Sequence, residues 1–154
     1  MTNVLSRRAV LMLAGTAIVG GMLTATPFDH AIAGSYYTGL VKGTAVGGYD
    51  PVAYFKANKP VRGSKEFTTQ WDGVTWRFSS AANRDAFVAN PTNFAPKYGG
   101  YCAYAAALGS KAKGDPRAWK IVGGKLYLNY NQSIKRKWER KQSFYIQAAD
   151  KKWK

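Results

Sequence analysis

The opening 33 residues decide what the remainder has to fold with. Arg7 and Arg8 precede a stretch, 9–25, that carries no charge and is dominated by Val, Leu, Ile, Met, Ala and Gly. Ala31-Ile32-Ala33 then supplies the small-x-small pattern that a signal peptidase accepts. The uncharged run is shorter than the roughly 20 residues needed to span a bilayer and contains Gly15, Gly20 and Gly21. Residues 1–33 are therefore expected to be a cleavable export signal, with cleavage after Ala33 and the mature chain in the bacterial periplasm.

Ser6-Arg7-Arg8-Ala9-Val10-Leu11 resembles the twin-arginine consensus, although Met12 stands where a lysine is common. That resemblance implies export of an already folded chain. A general secretory signal that starts with two arginines is the rival route, and both lead to the same compartment.

Cleavage changes the chemistry available. His30 and all three methionines belong to the leader, so the 121 residues that follow it have no histidine, no methionine and one sulfur, Cys102. An internal disulfide is excluded by the single cysteine. Zinc fingers, Ser-His-Asp triads and Cys-His proteases are excluded by the missing imidazole. The 23 Lys and Arg against 8 acids give +15 for the whole chain, which favours an acidic partner. No nucleic-acid partner is expected, because an exported protein seldom meets chromosomal DNA.

The mature length suits a single small α+β domain with two β-hairpins, short helices and a C-terminal basic amphipathic helix. Residues 34–45 are rich in Gly and Thr and read as a flexible leader, which leaves 46–154 as the folded domain. Asp50-Pro51 fits an N-cap with proline at the first helical position, predicting a short helix over 52–57. Asp72-Gly73 between 66–71 and 74–79 predicts one hairpin, and Gly123-Gly124 between 118–122 and 125–130 predicts another. Ser79 or Ser80 can cap a helix that ends at Asn90-Pro91. The alanines after Tyr101 read as a short helix stopped by Gly109, and Ser133 as the cap of a helix over 134–149. No internal repeat of useful strength is visible.

Asp50-Pro51-Val52, the segment from Gly73 to Phe87, and then Asn90-Pro91 and Phe94 together resemble the YHS domain over roughly residues 46–98. The continuation through Gly99-Gly100-Tyr101-Cys102 to Trp119, Tyr127, Asn129 and Trp138 resembles the exported "YHS domain-containing (seleno)protein" group. Metal-binding relatives carry cysteines at positions that fall on Ala53, Ser79 and Asn83 here. All three are absent, so the family's usual thiolate metal site does not transfer. The cofactor stays unknown.

Cys102 is what remains. It is a candidate catalytic nucleophile or redox centre, a weak metal ligand, or a buried structural thiol. If selenocysteine in the group falls at this place in the motif, the resemblance implies a chemically active chalcogen. Around Cys102, Tyr98, Gly99, Gly100 and Tyr101 form a candidate ligand-binding segment whose glycines let a ligand approach the backbone. Asp50 is a further candidate as an oxygen ligand or acid-base group, or simply a cap. Three functions stay open: a periplasmic YHS-type binding module for a small ligand or metal species, redox-linked through the thiol; a thiol-dependent oxidoreductase using Cys102; and a basic adaptor. The adaptor would use the lysines and arginines after Ser133 to meet an anionic membrane surface or an acidic protein.

Overall fold

A computed structural model of the chain describes residues 36–154. The segment expected to be an export signal, with Arg7, Arg8, Ala31 and Ala33, lies outside the described residues. The α+β reading is what the structure shows. The elements are α1 (Ala53–Lys56), β1 (Ser64–Trp71), β2 (Val74–Phe78), α2 (Ala81–Ala89), α3 (Pro91–Phe94), α4 (Ala103–Ala107), β3 (Asp115–Val122), β4 (Lys125–Asn129), α5 (Gln132–Glu139) and α6 (Gln142–Lys152). None of these helices is long and apolar enough to cross a membrane.

The order repeats. A tight double-glycine turn (Ala45–Gly48), α1, the hairpin β1–β2, α2 and α3 are followed by a second such turn (Lys97–Gly100), α4, the hairpin β3–β4, α5 and α6. The repetition extends to register. Ser64↔Phe78 and Thr68↔Arg77 in the first hairpin become Asp115↔Asn129 and Trp119↔Leu128 in the second, each displaced by 51 positions, with the irregularity at the same place. Asp72-Gly73 and Gly123-Gly124 make the two hairpin turns, all four residues with positive φ as a tight two-residue connection requires. Ser80 caps α2 through Asn83 N, and Asn131 caps α5 through Ile134 N at the equivalent place. The amide of Asp50 donates to Val61 O, and that of Cys102 to Ala112 O. The chain is thus two copies of one supersecondary unit, where the residues alone gave no usable repeat.

Each copy has its own core. Val52, Trp76, Phe78 and Phe87 anchor the first, and Tyr98, Ala106, Trp138 and Ala149 anchor the second. Strand β4 is the wall between them. Successive side chains on a strand point to opposite faces, so Leu126 and Leu128 enter the first core while Tyr127 enters the second. This accounts for the near-continuous burial of β4, against the strict alternation of β2. Tyr54 crosses the junction, packing edge-on against Trp119 and donating to Pro116 O at 2.8 Å.

Three sequence expectations need correction. The segment expected as a flexible leader over 34–45 is packed from Tyr36 onward. Tyr36 packs at a tilt against Trp71 and edge-on against Trp76, Tyr37 N donates to Gly99 O, and Ala45 is buried. Glycine and threonine content suggested flexibility, but the two tyrosine rings supply the anchoring. The single C-terminal helix is two helices, broken at Lys141 (φ −137°, ψ 44°) so that Trp138 and Ala149 both reach the second core. Its cap is Asn131, not Ser133.

Asp50 is the polar centre of the first copy. Fully buried, its Oδ1 accepts from Val52 N (2.8 Å) and Ala53 N (3.2 Å). Its Oδ2 accepts from Ser79 N (2.8 Å), Ser79 Oγ (2.6 Å) and Asn83 Nδ2 (2.7 Å). One carboxylate thereby joins the start of α1 to the end of β2 and to α2. Asp50→Asn turns an amide NH₂ toward donors, and the expected loss is about 3 kcal/mol or more, since each bond to a charged group contributes roughly 1.5–3 kcal/mol. Ser79→Ala should cost less than half of that. Urea unfolding midpoints of the two variants check the order.

Candidate ligand-binding site

The second double-glycine turn carries most of the residues singled out by sequence, and it distributes them to different surroundings. Tyr98 (φ 54°), Gly99 (φ 60°) and Gly100 (φ 74°) all lie in the left-handed region. For Tyr98 this conformation costs about 1–2 kcal/mol. The cost is offset because the ring is buried between Tyr127 and Trp153 and its hydroxyl donates to Asp150 Oδ1 at 2.8 Å. Lys97 Nζ meets the same carboxylate oxygen at 3.3 Å.

Beside this turn opens a cleft of about 280 Å³. Its aromatic lining comes from Tyr36, Trp71, Tyr98 and Trp153, its backbone floor includes Gly99, and Lys97 and Lys125 bring two positive charges. Lys125 Nζ is held by Thr92 O at 3.3 Å. Both copies contribute: Trp71 ends β1, Thr92 belongs to α3, Lys125 begins β4 and Trp153 follows α6. Such walls suit a flat, apolar group, and the two ammonium groups suit an anion attached to it.

The remaining predicted site residues are not on this cleft. Gly100 is buried, and a side chain there would approach Pro96 at 3.3 Å. Tyr101 turns toward Tyr37 and lines a different depression with Gly73 and Val74. Asp50 occupies the corresponding place in the first copy, where its oxygens already serve five protein donors. It is a structural hub, and the ligand role predicted for it is not what its geometry provides.

Cys102 is 1% exposed and precedes α4, with Sγ 3.8 Å from Asn129 Oδ1. The same oxygen accepts from Tyr104 N at 3.2 Å. Among the described residues Asn129 Nδ2 and Trp138 Nε1 have no hydrogen-bond partner, in contrast to the saturated carboxylate of the first copy. Among the described residues no three His, Cys, Asp or Glu side chains gather to hold a metal ion. The donor set at Ala53, Ser79 and Asn83 does not fit a soft metal either: it holds no sulfur, and Ser79 and Asn83 are committed to Asp50.

Sequence reasoning missed Tyr36, Trp71, Lys125 and Trp153 as parts of one site. Nothing separated Lys125 from the other cations after Gly124, and only the fold brings it to these rings. Compared with known proteins, the chain matches no family model, no curated protein and no solved structure.

Burial raises the pKa of Tyr98, reinforced by its hydrogen bond to Asp150, and burial with the nearby Asp72 charge pushes Tyr36 up to about 12. A raised folded-state pKa stabilises the fold fully below the ordinary tyrosine value near 10, and this contribution is lost as pH climbs from there through the folded value. Urea midpoints should therefore fall above pH 10, and Tyr98→Phe should flatten that fall. A buried thiol should also be protected: Ellman's reagent should react with native Cys102 at least about 100-fold more slowly than with the urea-unfolded chain, because access requires local opening.

Proposed function

We propose that this protein is an exported YHS-type binding module that holds a small anion bearing an aromatic or flat apolar group. The observation that carries the reading is the cleft beside Tyr98, where four aromatic side chains and two lysines from both copies of the unit converge. The leader with its arginine pair supports an address in the periplasm. The family resemblance is supported by a spatial coincidence. Ala53, Ser79 and Asn83, which match the cysteine positions of metal-binding relatives, all make hydrogen bonds to Asp50. A carboxylate hub thus does for this chain what a bound metal would do in such relatives, tying a helix start to a hairpin end.

The thiol oxidoreductase reading gains no support from this geometry. Cys102 is walled in by Asn129 and the chain around Ala112, and it stands apart from the lining of the aromatic cleft. A metal role for Cys102 has no second soft ligand in the described residues.

Isothermal titration with 4-hydroxybenzoate tests the proposal. Binding should weaken about five- to tenfold in Lys125→Gln, the scale of one partly exposed charge-assisted contact, and by a similar factor in Trp71→Ala. The uncharged amide of the same acid should bind more weakly than the acid. Equal affinity of the acid for wild type and both variants would refute the assignment.

A further inference from the structure

The tandem arrangement places a second cleft elsewhere on the molecule, also cationic but largely aliphatic, and it goes beyond the reading above. This cleft has a volume of about 310 Å³ and lies where the first double-glycine turn meets the entry to β3. Arg62 and Lys113 both line it, and they are equivalent positions, each just before the glycine that leads into the first strand of its hairpin. A cleft that takes the same position from both copies sits at the junction of the two copies. Ligand sites favour such junctions, because each half supplies a wall.

The walls carry charge in excess. Arg62 lies over the Tyr49 ring at 4.8 Å, which holds the guanidinium beside the cleft. Lys113 and Arg117 face it from the second copy, and the sole acid in the lining, Asp115, already pairs with Arg117 at 3.4 Å. Three cations against one paired acid leave two positive charges there. The surface between them is aliphatic, from Leu40, Val41 and Pro116.

The floor is bare backbone for a steric reason. A Cβ on Gly114 would collide with Gly100 O, and one on Gly47 would press on Leu40 and Pro116 at 3.0–3.3 Å, where φ is already +58°. Two glycines that tolerate no side chain therefore form part of the wall of this cationic pocket.

We infer that this cleft binds a short aliphatic dianion of the dicarboxylate type, with one carboxylate at Arg62, the other at Lys113 and Arg117, and the methylenes over Leu40, Val41 and Pro116. Two separated cationic walls with an apolar strip between them fit two anionic heads joined by a short chain better than they fit a single compact oxyanion. Tyr49 is the one aromatic residue in the lining and its ring is covered by Arg62, whereas four aromatic side chains line the cleft beside Tyr98.

Amide NMR titration of the full chain at constant ionic strength tests this with glutarate, butyrate and sulfate as probes. Glutarate should shift the Gly47 and Gly114 amides saturably, and butyrate should bind about tenfold more weakly for want of the second charge. Arg62→Gln and Lys113→Gln, both at exposed positions outside the two cores, should each weaken glutarate about tenfold. Lys125→Gln should leave glutarate binding unchanged, which separates this site from the aromatic cleft. Unchanged affinity in Arg62→Gln and Lys113→Gln would overturn the inference. So would equal binding of butyrate and glutarate, or tighter binding of sulfate than of glutarate.

Discussion

The constraint on which the structure depends is the left-handed double-glycine turn, used twice. In each copy three consecutive residues have positive φ: Val46-Gly47-Gly48 in the first, and Tyr98-Gly99-Gly100 in the second. Two of every three are glycine, for which this region carries no steric penalty, and the third is a residue whose side chain enters a core. The turn reverses the chain so that the next residue but one, Asp50 or Cys102, points inward and donates its amide to the strand entry at Val61 or Ala112. A helix then starts at once. Everything that follows, hairpin, capped helix and final helix, is laid down from that corner.

The two corners have diverged in chemistry while keeping their backbone. The first holds a carboxylate with five donors, a rigid joint. The second holds a thiol beside an asparagine with a donor left over, a looser joint around which Tyr98 and Trp153 form an aromatic wall. The polar hub ties together three elements of the first copy, while the proposed recognition surface takes aromatic side chains from both copies. A seam between two similar units yields clefts without dismantling either core, and two of them open here with different linings.

Much of the fold was legible because local signals agree with it. Asp72-Gly73 and Gly123-Gly124 do turn the hairpins and Gly109 does end α4, while Asp50 accepts the amides of Val52 and Ala53 at the entry to a helix whose N-cap is Val52, two residues later than expected. The repeat was hidden because it lives in glycine spacing and register, not in side-chain identity: Phe78 answers to Asn129, and Phe87 to Trp138. Gly-Gly-Tyr at 47–49 and again at 99–101 is its clearest trace in the residues. The break at Lys141 was illegible because lysine and arginine are good helix formers, and tertiary demand from Trp138 and Ala149 overrides that preference. The site was half legible. Tyr98 and Gly99 lie on the cleft, but Cys102 attracted attention for its rarity when burial, which spacing alone does not reveal, sets it apart. Lys97, Lys125, Trp71 and Trp153 come from four separate segments, and only folding brings them to one place.

The central claim is that recognition occurs at the aromatic seam and not at the sulfur. A crystal structure of the full chain with bound 4-hydroxybenzoate tests it most directly. The account predicts the ring among Trp71, Tyr98 and Trp153, its carboxylate on Lys97 or Lys125, and Cys102 Sγ still covered beside Asn129. A ligand seated against Cys102, reached by displacement of Asn129, with the aromatic seam empty, would contradict it.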